Sequence, residues 1–396
     1  MKRSSLRRSA WPVAASLCFA ALLGCGDQYR PVAIPIPQSG GPQPATAAFG
    51  LVLSNTGPSV QGIVTTINLP GDTNQGQFAV GVDASYVMTP DGTRALATSR
   101  GEDSLNVYSP ISVPLGALGI TALLQPNSSP VYVVSDGATA WTANPGRNGK
   151  TPTVGVVSLS KLIETAEVPV GNNPVVLSLN QAYSQVDCVN QADNTVTIIS
   201  TKDNSVLVTL PVGVNPVTAV TGSNTGFTFV VNQTDGTVSQ IDPNSLTVAK
   251  TLTVGTSPSA ATYSPALRKL FVADTGSNTV SILDVDPASI TYQTVTTVPV
   301  GTRPVALTAL ADGSRIFVAN AGSNDVTVID GMANRVLLAS IPVGNNPISI
   351  ASSANGSKVI VVNQNDNSVS LIETTHYAVT GTVLVPATPI MVTANP

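Results

Sequence analysis

The chain is 396 residues long, 42% hydrophobic and only 10% charged, with 32 Gly and 30 Pro. It is too apolar for disorder, and its wealth of Val, Thr, Asn, Ser and Gly argues against a mainly helical protein. The formal net charge is −4; the first 24 residues hold four bases and no acid, so the rest carries 14 bases against 22 acids, or −8. A globally acidic surface argues against nucleic-acid binding through counterion release.

The N-terminus reads as an export signal. Lys2, Arg3, Arg7 and Arg8 form a basic region, followed by the apolar stretch Trp11 to Leu23. That stretch is shorter than the roughly 20 residues a spanning helix needs. It ends in Leu22-Leu23-Gly24-Cys25, which resembles the bacterial lipobox. The resemblance implies cleavage after residue 24 and a lipid anchor on Cys25, with Gly26 in the next position pointing to the outer membrane. Paired acyl chains there would hold an exported domain on a membrane. The Arg7-Arg8 pair is followed by Ser9-Ala10, which does not continue a twin-arginine signal.

Residues 25–47 carry Pro31, Pro35, Pro37, Pro42 and Pro44 with Gly40-Gly41, and read as an extended tether. Of three cysteines, Cys18 leaves with the signal and Cys25 takes the lipid, so Cys188 has no disulfide partner and reads as a small strand residue.

From residue 48 onward the chain repeats. Pro169-Val170-Gly171-Asn172-Asn173-Pro174 recurs as Pro211 to Pro216, Thr253 to Pro258, Pro299 to Pro304 and Pro342 to Pro347. Weaker copies stand at Asn127 to Pro130, at Pro386 to Pro389 and near Gly81, at spacings of 42 to 46 residues. Apolar residues within each unit alternate with period two, so the unit is built of strands. After Gly301 the expected strands are Val305–Ala309, Arg315–Ala319, Val326–Ile329 and Arg335–Ile341. Asp91-Gly92, Asp136-Gly137, Asp312-Gly313 and Asn355-Gly356 mark one equivalent hairpin turn. Four antiparallel strands in 40–45 residues is the sequence mark of a β-propeller blade.

The strand-end copies Cys188-Val189-Asn190-Gln191, Val230-Val231-Asn232-Gln233, Val272-Ala273-Asp274-Thr275, Val318-Ala319-Asn320-Ala321 and Val361-Val362-Asn363-Gln364 carry a resemblance to the YVTN-repeat β-propellers, a group that includes microbial surface and periplasmic proteins. It spans residues 48–396 and implies the fold; propellers host many unrelated functions, so it implies little about activity.

The period fits eight blades, with seven as the alternative. Ile390 to Thr393 reads as a first strand alone, while Phe49–Ser54, Ile63–Asn68 and Gln77–Val80 read as second, third and fourth strands lacking a first. Uniting them in one composite blade would close the ring and remove exposed edges.

Catalytic residue types are scarce. His376 is the only histidine and sits beside Tyr377 near an outer strand, so a multi-histidine metal centre is excluded. Stretches such as Asn190 to Asn194, Asn232 to Gly236, Asp274 to Asn278, Asn320 to Asp325 and Asn363 to Asn367 offer oxygen ligands for calcium, but turn formation explains them more simply. Asp242, Asp284, Asp330 and Glu373 each end a third strand and read as caps of the next turn. Asn144 to Thr151 nearly matches a phosphate-binding loop, yet it leads into a strand where a helix is required. Its Arg147 and Lys150 make it a candidate contact loop. With aromatics at 4%, stacking platforms for sugars or single strands are thin, and Trp141, in a position comparable to Phe317 and Val361, reads as core.

These features lead to the expectation of a lipid-anchored, monomeric, eight-bladed envelope propeller that binds or scaffolds a protein partner. No catalytic residue, metal or cofactor is expected, and Cys25 is the one assigned site, for lipid. The expected location is the outer membrane or cell surface, with the periplasmic face as an alternative. Two other readings are a passive surface coat and a lactonase-like hydrolase, an activity found among propellers of related appearance. The small, apolar and hydroxylated inner strands, such as Val175–Leu179, Val305–Ala309 and Ile348–Ala351, weigh against the carboxylates a hydrolase would converge on its tunnel.

Overall fold

The computed structural model describes residues 48–110 and 119–395; the signal, Cys25 and the tether lie outside the described residues. Eight four-stranded antiparallel sheets form eight blades, labelled A to H, and within each blade sequence order is spatial order except in blade A. There Pro389–Ala394 is the innermost strand and Phe49–Ser54, Gln61–Asn68 and Thr73–Val82 follow outward, so the two ends of the propeller chain share one blade. Gly50 to Leu53 pair with Ala394 to Met391 and zip the ring shut. The eight-blade reading and the composite blade are both as expected from the period.

Inner strands are Ala84–Met88 in B, Tyr132–Ser135 in C, Pro174–Asn180 in D, Pro216–Thr221 in E, Pro258–Ser264 in F, Pro304–Ala309 in G and Pro347–Ser352 in H. A residue with positive φ stands just before each, or three residues before it in blade C: Asp83, Ser129, Asn173, Asn215, Ser257, Arg303, Asn346 and Thr388 lie at 49–57°. This one left-handed residue turns the chain from the rim of one blade to the hub of the next. In the hairpins, Gly92, Gly137, Gly313 and Gly356 take φ of 69–92°, and the Asp or Asn before each accepts the backbone N–H two residues on.

The core is divided among the seams between blades. Phe271 of blade F packs with Leu307, Ile316 and Val318 of G, and Phe317 of G with Ile350, Val359 and Val361 of H. Burying one such phenylalanine stabilises the fold by about 1.5–3 kcal/mol. Trp141 does the same at the C–D seam. Its counterpart in blade H is Ile360 rather than Val361, because both Trp141 and Ile360 stand three residues before the asparagine that ends their strand.

That strand-end asparagine is a correction to the turn-formation reading. Asn190, Asn232, Asn320 and Asn363 are fully buried, and each Nδ2 donates to side-chain oxygens on the neighbouring third strand. Asp274 takes the same place and accepts from Thr279 and Ser281. A bare Cα faces each amide: a Cβ on Gly301 would stand 2.6–2.7 Å from the side chain of Asn320. The repeated Val-Gly is therefore set by close packing, not by positive φ.

Candidate functional site

Two places in the ring gather polar groups around accessible space: the face carrying the left-handed turns, and the wall formed by the inner strands. On the turn face, side chains of the loops between second and third strands act as latches. Asp193, Asp235 and Asp366 accept the backbone N–H of Asn172, Val214 and Asn345 within their own blades, at 2.7 Å. Asn194, Asn278, Asn324 and Asn367 accept the N–H of Asn215, Arg303, Asn346 and Thr388 on the next blade, at 2.8–2.9 Å. These loops were the calcium alternative. Their carboxylates are engaged with backbone or side-chain donors of the protein, and no group of three or more His, Cys, Asp or Glu converges among the described residues.

The other sequence candidates fall on separate parts of the surface. His376 is 82% exposed and lies 3.1 Å from Glu373. Asp242, Asp284, Asp330 and Glu373 each accept backbone N–H groups of the turn that follows, as expected of caps. Those bonds hold Glu373 down to about 2, with the Thr375 and His376 donors as the cause. Cys188 is buried and its thiol is pushed up by that burial. Arg147 and Lys150 are not free to meet a partner: Arg147 pairs with Asp103 at 2.7 Å and donates to the Arg100 carbonyl, while Lys150 pairs with Glu167 at 2.7 Å. The 144–151 segment links two strands of blade C, so no helix end is available for a phosphate.

The inner wall holds what the sequence reading passed over. Aligned on the left-handed turns, the third residue after each turn is Tyr86, Tyr132, Val176, Thr218, Ala260, Ala306, Ser349 and Met391, all half-buried. A bulge at the second residue in blade B and in blades D to H re-aims this position. Ser349 and Met391 reach across to the next inner strand, where they accept the N–H of Val392 and Val87. The rings of Tyr86 and Tyr132 lie against each other at a tilt of 34°, with centroids 4.0 Å apart and their hydroxyls 3.0 Å apart. Burial raises both phenols, in Tyr86 reinforced by Tyr132, so each keeps its proton at neutral pH. With Tyr86 donating to Tyr132, the Tyr132 hydroxyl keeps a proton of its own to donate, strengthened by the bond it receives. The clue was available in the sequence: two tyrosines in a column otherwise filled by small or aliphatic residues and one methionine.

A depression of about 560 Å³ opens between blades A and B, and neither tyrosine lines it. It is lined by Asn55, Pro58, Asp83, Ser85, Arg100 and Ile390, and Ser85 is the chain neighbour of Tyr86. Asp83 and Arg100 pair at 2.7 Å, so the lining is close to neutral. The inner strands themselves carry no charged side chain. A volume in the range of small-molecule sites with a few placed donors suits a small uncharged ligand.

Comparison with known proteins follows the same architecture. A family model described as "Lactonase, 7-bladed beta-propeller" matches residues 223–341, from the first hairpin of blade E to the last strand of blade G. This chain is similar to that family over those three blades and has eight blades in all. No curated protein matches the chain. Among solved structures, a putative 6-phosphogluconolactonase from Bacteroides uniformis shares 12% identity at TM-score 0.60, covering 88% of this chain and 100% of that one. The dihydro-heme d1 dehydrogenase NirN in complex with DHE shares 10% at 0.68, over 90% and 78% of the two chains. Apo AztD from Citrobacter koseri shares 14% at 0.64, over 88% and 97%. At such identities the likeness is one of fold.

Proposed function

We propose that this protein is a lactonase-like hydrolase acting on small uncharged lactones at the hub of the propeller, with Tyr132 as the donor to the lactone carbonyl. The observation that carries the reading is the lactonase family match across blades E to G, and the Tyr86–Tyr132 pair gives it chemistry. Hydrolysis of a lactone builds negative charge on the carbonyl oxygen, and a fixed phenol aimed at that oxygen lowers the barrier because it needs no reorganisation. Charge balance favours an unphosphorylated substrate, since Arg100 is already paired with Asp83 and the inner strands bring no cation. The family match favours this reading over the scaffold and surface-coat readings, neither of which expected catalysis.

The same proposal keeps the sequence-based expectation of export and lipid attachment through Cys25, which would place the enzyme at the envelope. Its test is the ring-opening of neutral γ- and δ-lactones by the full-length protein in membrane fractions. Wild type should open them, Tyr132→Phe should fold and lose most of the rate, and Cys25→Ala should move the activity off the membrane. Wild-type protein no faster than buffer with every lactone would remove the reading.

A further inference from the structure

Two columns of the repeat hold a charged residue that departs from its counterparts, one sealed in the core and one open to solvent. The sealed column fills the seam with the next blade, three places before the end of each second strand. In seven blades it is large and apolar: Leu51, Leu96, Trp141, Phe229, Phe271, Phe317 and Ile360, none more than 2% exposed. In blade D it is Asp187, 1% exposed, whose Oδ2 accepts from Thr228 while its Oδ1 is buried without a partner. At that depth the acid is a matter of stability rather than of binding.

The open column is the left-handed residue that leads into each inner strand. Asp83, Ser129, Asn173, Asn215, Ser257, Asn346 and Thr388 have short polar side chains there, whereas blade G has Arg303. The backbone does not favour the change, because asparagine tolerates positive φ better than arginine does. In blades D, E and H this residue is latched to the one that follows the strand-end asparagine. Asn173, Asn215 and Asn346 donate to Gln191, Gln233 and Gln364 at 2.9–3.0 Å. Blade B builds the same latch from opposite charges, with Arg100 donating to Asp83 at 2.7 Å. In blade G both members have changed: Arg303 replaces the asparagine, and Ala321 stands where the glutamine would be.

The guanidinium of Arg303 therefore lacks the acceptor that the latch supplies elsewhere. It donates to Asn346 Oδ1 in the turn into blade H, and none of the ion pairs among the described residues includes it. A depression of about 420 Å³ opens at this place, lined by Arg303, Ala321, Asn345, Asn346 and Asn365 among others, and Arg303 is the one charged residue of the lining. Asp366, next to Asn365, is already engaged, since its two oxygens accept the backbone and side-chain N–H groups of Asn345. Arg303 and Asn365 are both exposed. A guanidinium carries more N–H donors than Asn346 can accept, in a planar fork that matches two oxygens of one anion.

We propose that this depression between blades G and H binds the oxyanion of a small solute, a carboxylate or a phosphate group, which gives Arg303 the acid that Asp83 gives Arg100 in blade B. Asn365 carries an amide in the same lining that can donate to the same anion. The volume lies in the range of small-molecule sites. The site stands apart from the hydrolytic reading, and its test reads binding alone.

Full-length protein in detergent is titrated calorimetrically with sodium phosphate and with sodium acetate, against sodium chloride at the same ionic strength. Wild type should show saturable binding of one equivalent; saturation by acetate alone assigns a carboxylate ligand, and by phosphate alone a phosphate ligand. Arg303→Lys keeps the charge without the fork and should weaken binding roughly tenfold or more. Arg303→Asn combined with Ala321→Gln rebuilds the latch of blades D, E and H, and should melt no lower than wild type and bind neither anion. Arg303→Gln should also lose binding, and judges the site should the double variant fail to fold. No saturable binding by wild type beyond the chloride control would overturn the proposal, as would a folded Arg303→Gln protein that binds as tightly as wild type.

Discussion

The seams between blades F and G and between blades D and E have the same backbone and opposite chemistry. At F–G, Phe271 and Ile316 fill the interface with apolar volume; at D–E the equivalent positions hold Asp187 and Thr228, joined at 2.5 Å. A ring of equivalent blades offers its own internal control. A position that is large and apolar in seven copies and carboxylic in the eighth is not explained by what the fold requires, because the fold is built without it everywhere else. The same contrast separates Tyr86 and Tyr132 from the Val, Thr, Ala, Ser and Met residues in their column.

The comparison is most forcefully broken by carrying the acid to an apolar seam. Phe317→Asp would bury a carboxylate among Ile350, Val359 and Val361 without the hydroxyl partner that Asp187 has. We expect a loss of about 4 kcal/mol or more in denaturant unfolding, from lost burial and an unpaired charge. A loss below about 1 kcal/mol would mean that any seam tolerates an acid, and that Asp187 marks nothing.

A smaller effect sharpens the comparison through pH. The folded pKa of Asp187, about 6, is above the usual 3.8, so the folded chain holds this proton more tightly than the unfolded chain. Its contribution to stability is full below about pH 4 and is lost as pH rises through about 6. Relative to Asp187→Asn, wild type should therefore lose about 2 kcal/mol between pH 4 and pH 7, following the two-unit difference. A constant difference between the two proteins across that range would show an ordinary carboxylate.

The smallest effect belongs to the repeat as a whole. Gly301→Ala would drive a methyl group to within 2.7 Å of Asn320, and should cost about 1–3 kcal/mol through overpacking. A neutral outcome in thermal or denaturant unfolding would show that the buried amide can move aside.

Most of the architecture was legible in the sequence because the period, the alternation and the turn residues are local signals that recur. The strands of blade G were placed within a residue of Pro304–Ala309, Arg315–Asn320, Asp325–Asp330 and Arg335–Pro342, and the composite blade followed from ring closure. The strand-end asparagines were harder: their partners are side-chain oxygens five and seven residues on, facing them across a hairpin, so residue type alone suggested a turn. The paired cations Arg147 and Lys150 looked free because Asp103 and Glu167 reach them from other parts of the chain. Asp187 and the tyrosine pair escaped notice for a different reason. Each is an exception within a column of the repeat, and an exception shows only when all eight blades are aligned to the residue.

Whether the hub of this propeller opens lactones with Tyr132 as carbonyl donor is decided by kcat/KM for a neutral lactone with full-length wild type and Tyr132→Phe side by side. Wild type should turn the lactone over, and removing the one hydroxyl should lower kcat/KM roughly 10²–10³-fold with melting unchanged. No turnover by wild type, or equal turnover by both proteins, would contradict it.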